Sequence, residues 1–232
     1  MAKTSKVIAF NFKAFESVYG KESERYARAL RETAAAHKDV TFIACPPQLE
    51  LAATARKFKA KRNFFVFAQN ADPVGFGSRT GWTPVEAVAA SGARGTLVNH
   101  AEHKVSLETV AKVVEQAKPL GLKVLACAAD LEEARNLAAL APWAVAVEPP
   151  KLIGSGISVS TAQPEVVKEA VEVIKKTNKK VLALVGAGVS TPDDVRKSFE
   201  LGAEGVLLAS AFVKASDPKA FAEAFAVAAN KG

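Results

Sequence analysis

The sequence contains little cysteine and no segment typical of export or membrane insertion. Cys45 and Cys127 are its two cysteines, each within an apolar run, and no CxxC or Cys/His cluster indicates zinc. The first ten residues, MAKTSKVIAF, lack the apolar core of roughly 7–15 residues that defines a signal peptide. No apolar run approaches the ~20 residues needed to cross a bilayer. We therefore expect a cytoplasmic protein with buried free thiols, no metal and no membrane contact.

Acidic residues are outnumbered by basic ones, and the formal net charge is +7. The densest basic segments are KFKAKR (57–62) and KKTNKK (175–180), each between a helical pattern and the next apolar run. Aromatic residues are scarce within them, which favours solvated helix ends over a nucleic-acid surface. We therefore expect no nucleic-acid partner. The basic background modestly favours anionic small molecules.

Linker-like and low-complexity segments are also absent, and apolar β-branched runs alternate with amphipathic segments along the whole chain. Near-continuous apolar strands with helical connections indicate a parallel sheet covered on both faces. Eight such units in this length predict an α/β protein, a closed (β/α)₈ barrel forming one domain over residues 1–232. A doubly wound open sheet is the alternative, but it would need fewer units and a GxGxxG loop after the first strand, which is absent. The runs lie at 7–12, 40–45, 64–69, 95–100, 123–128, 143–148, 180–185 and 204–210.

Polar residues that could take part in catalysis or binding lie where several of these strands end. Barrels of this kind carry their functional groups at that end of the strands. The groups are Asn11 and Lys13, placed on one side by strand alternation, then His100, Glu148 and the turns GAG (186–188) and ASA (209–211). Each of these also has an interpretation without a function. The histidine could be a hydrogen-bonded structural residue, the glutamate could simply be solvated, and the glycines could serve only the geometry of the turns. Together they provide a base, an electrophile, a cation and an anion-binding nest.

Two segments are longer than simple connections. After Glu148, two prolines stiffen the chain and Gly154 and Gly156 make it permissive, which predicts a hinged lid over a catalytic base. The stretch NADPVGFGSRTGW (70–82) carries three glycines before Trp82. Long loops in compact domains are usually functional or interface elements.

The motifs NFK (11–13), NHAEH (99–103), VEPPKLIGSG (147–156), VGAG (185–188) and LLAS (207–210) occur in the order found in triosephosphate isomerases. Essentially the whole chain resembles that family, especially its shortened archaeal type. The resemblance implies interconversion of dihydroxyacetone phosphate and glyceraldehyde 3-phosphate through an enediol(ate), without a cofactor. It implies that Glu148 is the base and that a neutral His100, at the start of a short helix, is the electrophile. It assigns Lys13 to charge stabilisation, Asn11 to substrate orientation and Glu102 to support of Lys13.

The resemblance also assigns phosphate binding and assembly. Phosphate would contact Asn11, Lys13 and the backbone of Gly154, Gly188, Ala209 and Ser210. The lid would comprise residues 149–159, with Pro149, Pro150, Lys151, Gly154 and Gly156 in its hinge and tip. Thr80 matches a residue that reaches into a neighbouring subunit, so a homodimer or homotetramer is expected.

This sequence departs from the family's pattern at several positions. Ala101 stands where a serine hydroxyl is common, and Lys151 stands where the family often has an aromatic or acidic residue. VGAG replaces a Tyr-Gly-Gly-Ser motif, and Ala209–Ser210 replace a glycine pair, which requires that neither adopts positive φ. Two alternatives stay open: a different barrel enzyme acting on a phosphorylated sugar, such as a Schiff-base aldolase, and a non-catalytic phosphate-binding or scaffold barrel.

Overall fold

A computed structural model describes residues 6–149 and 158–232. Eight strands, all parallel to their neighbours, close into one barrel in the order β1 to β8, with β1 pairing to β8. The predicted (β/α)₈ barrel is confirmed, and the open-sheet alternative is wrong. The strands are β1 (Lys6–Asn11), β2 (Val40–Cys45), β3 (Phe64–Ala68), β4 (Gly95–Val98), β5 (Lys123–Ala128), β6 (Ala144–Val147), β7 (Leu182–Val185) and β8 (Gly205–Leu208).

Helices follow the strands and form the outer layer. Those of the described residues are α1 (Lys21–Ala36), α2 (Leu51–Lys57), α3 (Val85–Ala90), α4 (Leu107–Ala117), α5 (Leu131–Ala139), α6 (Val159–Ala162), α7 (Pro164–Thr177), α8 (Pro192–Glu200), α9 (Ser210–Val213) and α10 (Pro218–Lys231). Two short 3₁₀ helices cover Glu16–Val18 and Gln48–Glu50. The segment 70–82 carries no helix or extended strand, as expected for a long loop.

Strand burial explains why each strand reads as a continuous apolar run. One set of side chains packs inside the barrel, including Ala9, Phe67 and Leu125. The alternate set packs outward against the helices, including Phe10, Phe42 and Val145. Both faces are therefore removed from water, so the alternation of polar and apolar residues seen in half-exposed strands is missing.

Helix starts follow the polar residues that precede them. Thr191 and Asp194 form a reciprocal capping box at the start of α8, and Asp130 accepts a hydrogen bond from the Glu133 backbone at α5. Such caps satisfy N–H groups that have no partner within the helix. They fix where the chain turns from the carboxyl end of each strand back along the barrel.

The described residues, 6–149 and 158–232, contain neither a membrane-spanning helix nor a metal-binding cluster. None of the helices is long and apolar enough to span a bilayer. No group of three or more histidine, cysteine, aspartate or glutamate side chains could hold a metal ion.

Candidate active site

The end of β1 delivers two polar side chains to the carboxyl-end mouth of the barrel. Asn11 is 5% exposed, and its Oδ1 accepts a hydrogen bond of 2.9 Å from the backbone N–H of Lys13. Lys13 itself has φ 53°, a left-handed conformation that is unusual for a residue with a side chain. The two residues line one cleft because of this backbone turn. Simple strand alternation, which the sequence argument used, is therefore an incomplete reason for their proximity.

Gln69, which the sequence argument did not single out, anchors this turn. Its Nε2 donates to the carbonyl oxygens of Lys13, at 2.9 Å, and Cys45, at 3.0 Å. Its own backbone N–H donates to Gln48 Oε1 at 3.2 Å. Side-chain amides that bridge strand ends hold an unfavourable backbone conformation in place. The signal available in the sequence was a polar residue directly after an apolar strand.

His100 follows β4 and is 7% exposed. The backbone N–H of Glu102 donates to its Nδ1 at 3.2 Å. An N–H donor at Nδ1 requires that this nitrogen carry no proton, so the hydrogen bond assigns the neutral tautomer with its proton on Nε2. Nε2 lies 3.7 Å from Glu148 Oε2 and faces the cleft. The imidazole is therefore set to donate a hydrogen bond there.

The short helix expected after His100 is absent. Residues 101–103 form a turn and bend, with the His103 N–H donating to the His100 carbonyl at 2.7 Å. The reason is local: Asn99 has φ 62°, and its Oδ1 accepts from the Val105 N–H at 3.1 Å, closing the loop before a helix can begin. One directed N–H, that of Glu102, contacts Nδ1 in place of a helix N-terminus.

Asn99 is a second residue that the sequence argument left without a role. Its Nδ2 donates to the Cys127 carbonyl at 2.9 Å and to Glu133 Oε1 at 2.7 Å. Glu133 Oε2 also accepts from the Ala129 N–H at 2.6 Å, and Glu133 pairs with Lys104. This network ties the loop that carries His100 to the ends of β5 and α5.

Glu148 lies directly after β6 and is 6% exposed. Its backbone is fixed, because its N–H donates to the Ala128 carbonyl at 2.8 Å. Burial raises the pKa of the Glu148 carboxyl, while a hydrogen bond with the Cys127 thiol and the positive charge of Lys13 oppose that rise. Burial raises the pKa of the neighbouring Cys127 thiol as well, and the charge of Glu148 adds to that effect. A carboxylate with a raised pKa beside a neutral imidazole can accept a proton at neutral pH.

The loops after β7 and β8 complete the cleft that is also lined by Asn11, Lys13, His100 and Glu148. Gly188 lines it with φ 72°, next to Ala187 with φ 68°. Ala209 and Ser210 line it at the start of α9. Neither has a positive φ, so the condition for replacing a glycine pair is met.

The remaining expected residues divide into three groups. Glu102 contacts Lys13, with Oε1 2.6 Å from Nζ. Thr80 is exposed in the loop 70–82. Pro149 lies at the limit of the described residues, and Pro150, Lys151, Gly154 and Gly156 lie outside them.

The described groups can carry out proton abstraction beside a carbonyl in an anionic substrate. A buried carboxylate, an Nε2–H donor and an ammonium group face one cleft, and backbone turns after β7 and β8 are suited to an anion. Lys13 is already paired with a carboxylate. A lysine nucleophile at a late strand end is absent from the described cleft, which weighs against Schiff-base chemistry.

Comparison with known proteins gives one consistent family. The family model described as Triosephosphate isomerase matches residues 6–227. The chain is 42% identical to the triosephosphate isomerase of Caldivirga maquilingensis over 91% of this chain and 92% of the relative. It is 43% identical to that of Archaeoglobus fulgidus over 92% and 93%. It is 39% identical to that of Sulfolobus acidocaldarius over 94% and 93%.

Proposed function

The chain belongs to the triosephosphate isomerase family and is an aldose–ketose isomerase, and we propose that it carries out this reaction with Glu148 as its base. The substrates are dihydroxyacetone phosphate and D-glyceraldehyde 3-phosphate, whose interconversion serves glycolysis and gluconeogenesis. The observation that carries the residue assignment is the buried pair of Glu148 and His100, with 3.7 Å between Oε2 and Nε2 at the cleft.

Glu148 removes a proton from the carbon beside the carbonyl and returns it to the neighbouring carbon. Burial raises the pKa of its carboxyl, which strengthens it as a base near neutral pH. His100 donates its Nε2–H to the carbonyl oxygen as negative charge develops there. The Glu102 N–H at Nδ1 supports this role, because it keeps the proton on the nitrogen that faces the cleft.

Lys13 stabilises both the substrate phosphate and the developing oxyanion. Its side chain is 15% exposed, so its charge acts in a site with little water. Asn11 orients the substrate oxygens, and Glu102 holds Lys13 through their ion pair. The phosphate rests against the backbone of Gly188, Ala209 and Ser210, whose turns line the same cleft.

The lid and the assembly complete the proposal. Residues 149–159, with Pro149, Pro150, Lys151, Gly154 and Gly156, close over the substrate, and Gly154 adds a phosphate contact. Closure excludes water and limits loss of phosphate from the enediolate. Thr80 enters the neighbouring subunit of a homodimer or homotetramer. The enzyme acts in the cytoplasm, to which its two buried free thiols are suited.

A coupled assay with glyceraldehyde 3-phosphate, run beside the Glu148→Gln variant, tests the proposal. We expect rapid formation of dihydroxyacetone phosphate by the natural protein and a loss of at least about 10²–10⁴-fold in the variant. Binding of inorganic phosphate should persist in the variant, because the base does not hold the phosphate. Near-normal turnover by Glu148→Gln would remove the base assignment.

Borohydride trapping with substrate separates the aldolase alternative from isomerisation. A Schiff base forms when a lysine amine attacks the carbonyl and water leaves, and reduction makes that bond permanent. We expect no covalent adduct. An adduct would replace the isomerase mechanism, and a folded, oligomeric protein without turnover would favour the non-catalytic barrel.

A further inference from the structure

Gly186 lies directly beside Glu148, at the end of the neighbouring strand β7. Val147 pairs with Val185 in parallel register, and the Gly186 N–H donates to the Val147 carbonyl at 2.9 Å. A Cβ built at position 186 would lie 2.6 Å from Glu148 Oε1, 2.7 Å from its Cγ and 2.9 Å from its Cδ. Real Cβ atoms essentially never come this close to another group, so the side chain of Glu148 occupies the volume that a side chain at 186 would need.

Backbone conformation does not explain the glycine. Gly186 does not have a left-handed φ, whereas Gly188, two residues later, has φ 72°. Any L-residue can adopt the backbone of Gly186, and the close approach of Glu148 is what excludes one. Glycine is used in proteins both for special φ values and for close approach, and here the second reason applies.

Hydrogen bonds fix the carboxylate only in part: the Cys127 thiol bonds to it. Glu148 Oε2 is buried and has no hydrogen-bond partner among the described residues. The His100 Nε2, at 3.7 Å, is beyond hydrogen-bond distance. The backbone of Glu148 is anchored to Ala128, so the shape of the surrounding wall, together with the Cys127 contact, decides where the side chain goes.

We propose that Gly186 is a positioning residue for the reaction: its missing side chain forms the recess that places the Glu148 carboxylate beside His100 at the cleft. The inference rests on the proposed function of Glu148 as the base. A methyl group at 186 would displace the carboxylate or spread β6 from β7. A misplacement of about 1 Å at a reacting group costs on the order of 10²-fold in rate.

Gly186→Ala tests this, with Gly205→Ala as the matched control. A Cβ at Gly205 would lie 2.7 Å from the Val7 carbonyl oxygen and 2.8 Å from Leu184 Cγ. It therefore crowds the barrel wall similarly, away from Glu148. We expect Gly186→Ala to lower kcat/KM by about 10²-fold through kcat, with inhibition by inorganic phosphate little changed. The folded fraction of Gly205→Ala should keep its kcat.

The pH dependence of kcat/KM in Gly186→Ala is a second measurement, and steric crowding elsewhere in the barrel would not change it. Burial raises the pKa of the Glu148 carboxyl, so we expect the acidic limb of kcat/KM in the natural protein to lie above the ordinary value of 4.5. A displaced, better hydrated carboxylate has a lower pKa, and the limb should shift to lower pH. A normal kcat/KM with an unshifted limb would overturn the inference.

A double-mutant cycle on Tm with Glu148→Ala identifies the clash directly. Glu148→Ala removes all three atoms that a Cβ at 186 would meet, so adding Gly186→Ala to it should cost far less Tm than in the natural background. Equal losses in both backgrounds would overturn the inference. If Gly186→Ala alone fails to fold, folding of the double variant supports the clash, and failure of both overturns it.

The same variants separate the two levels of the argument. Retained turnover in Glu148→Ala would remove the proposed function, because the base would be dispensable. Loss of turnover in Glu148→Ala together with normal turnover in Gly186→Ala would leave the base assignment intact and remove only the role of Gly186.

Discussion

The two mouths of the barrel each contain a partly buried lysine, yet their surroundings differ. At the carboxyl-end mouth, Lys13 contacts the carboxylate of Glu102 at 2.6 Å and faces the cleft. At the opposite mouth, Lys123 begins β5, and its Nζ lies 4.9 Å from the ring centre of Trp143 and 5.9 Å from that of Phe65. Burial lowers the pKa of the Lys123 ammonium group. One lysine faces a polar cleft and the other is packed against aromatic rings.

The two mouths of the barrel also differ in backbone conformation. Among the described residues, four non-glycine residues have left-handed φ, and three of them, Lys13, Asn99 and Ala187, lie at the carboxyl-end mouth. The buried unpartnered Oε2 of Glu148 lies there too, whereas the other two such atoms of the described residues, Glu86 Oε2 and Gln116 Oε1, lie on α3 and α4. Strained conformations and unpaired buried groups cost stability and persist where the surrounding structure enforces them. The comparison teaches that this barrel concentrates strained backbone conformations at its candidate active site.

Phe67→Ala should produce the largest effect of the substitutions considered, and that effect should be on stability. It tests whether the packed interior of the barrel contributes stability without contributing to catalysis. Phe67 is fully buried inside the barrel, and its ring packs edge-on against Trp143 at 5.9 Å between centres. We expect the free energy of unfolding to fall by about 3–5 kcal/mol, with kcat of the folded protein little changed. Denaturant titration at fixed protein concentration measures it, with the exposed Leu49→Ala as control. Lost turnover with unchanged stability would contradict the division of the barrel into a stabilising part and a catalytic part.

Lys13→Met tests the functional side and should have the next largest effect. Removal of one preorganised charge at a developing oxyanion costs about 10²–10³-fold, so we expect a loss of that size in kcat/KM and weaker inhibition by inorganic phosphate. Steady-state kinetics with phosphate as inhibitor measure both. The folded state should persist, because the methionine keeps the apolar stem. Unchanged phosphate inhibition would remove Lys13 from the site.

Glu148→Gln tests whether the buried carboxyl at the active-site mouth makes the stability of the protein depend on pH. A carboxyl whose pKa is raised by folding adds stability below its unfolded pKa, and that stability is lost as pH rises through the folded pKa. The natural protein should therefore lose stability above the ordinary value of 4.5, whereas Glu148→Gln lacks this dependence. We expect the Tm of the variant, relative to the natural protein, to increase between acidic and neutral pH. Parallel Tm curves would contradict a carboxyl pKa raised by burial.

The stabilising part of the molecule could largely be predicted from sequence. Parallel strands buried on both faces give continuous apolar runs, and all eight runs proposed correspond to strands. Residues at the ends of these strands, such as Lys13, His100 and Glu148, were identifiable because parallel strands bring their carboxyl ends to one mouth.

The details that tune the site were not predictable in the same way. The turn after His100 replaces an expected helix, since it depends on the φ of Asn99 and a hydrogen bond to Val105. The role inferred for Gly186 depends on contact with a residue 38 positions earlier, and no local pattern records that contact. Gln69 likewise bridges two strand ends through side-chain hydrogen bonds. Backbone conformation and through-space packing set these features, whereas hydrophobic periodicity sets the strands.

Lys123→Met completes the comparison with the smallest expected effect, as the same substitution made at the other mouth. The cation–π contacts with Trp143 and Phe65 are worth about 0.5–1 kcal/mol at such sites, and the methionine removes the cost of burying an ammonium group. The two terms oppose each other, so we expect the free energy of unfolding to change by less than about 1 kcal/mol. Turnover and phosphate inhibition should match the natural protein, because the carboxyl-end cleft does not include Lys123. A loss of kcat/KM comparable to that of Lys13→Met would mean that the two mouths are coupled and that their division into stabilising and catalytic ends is wrong.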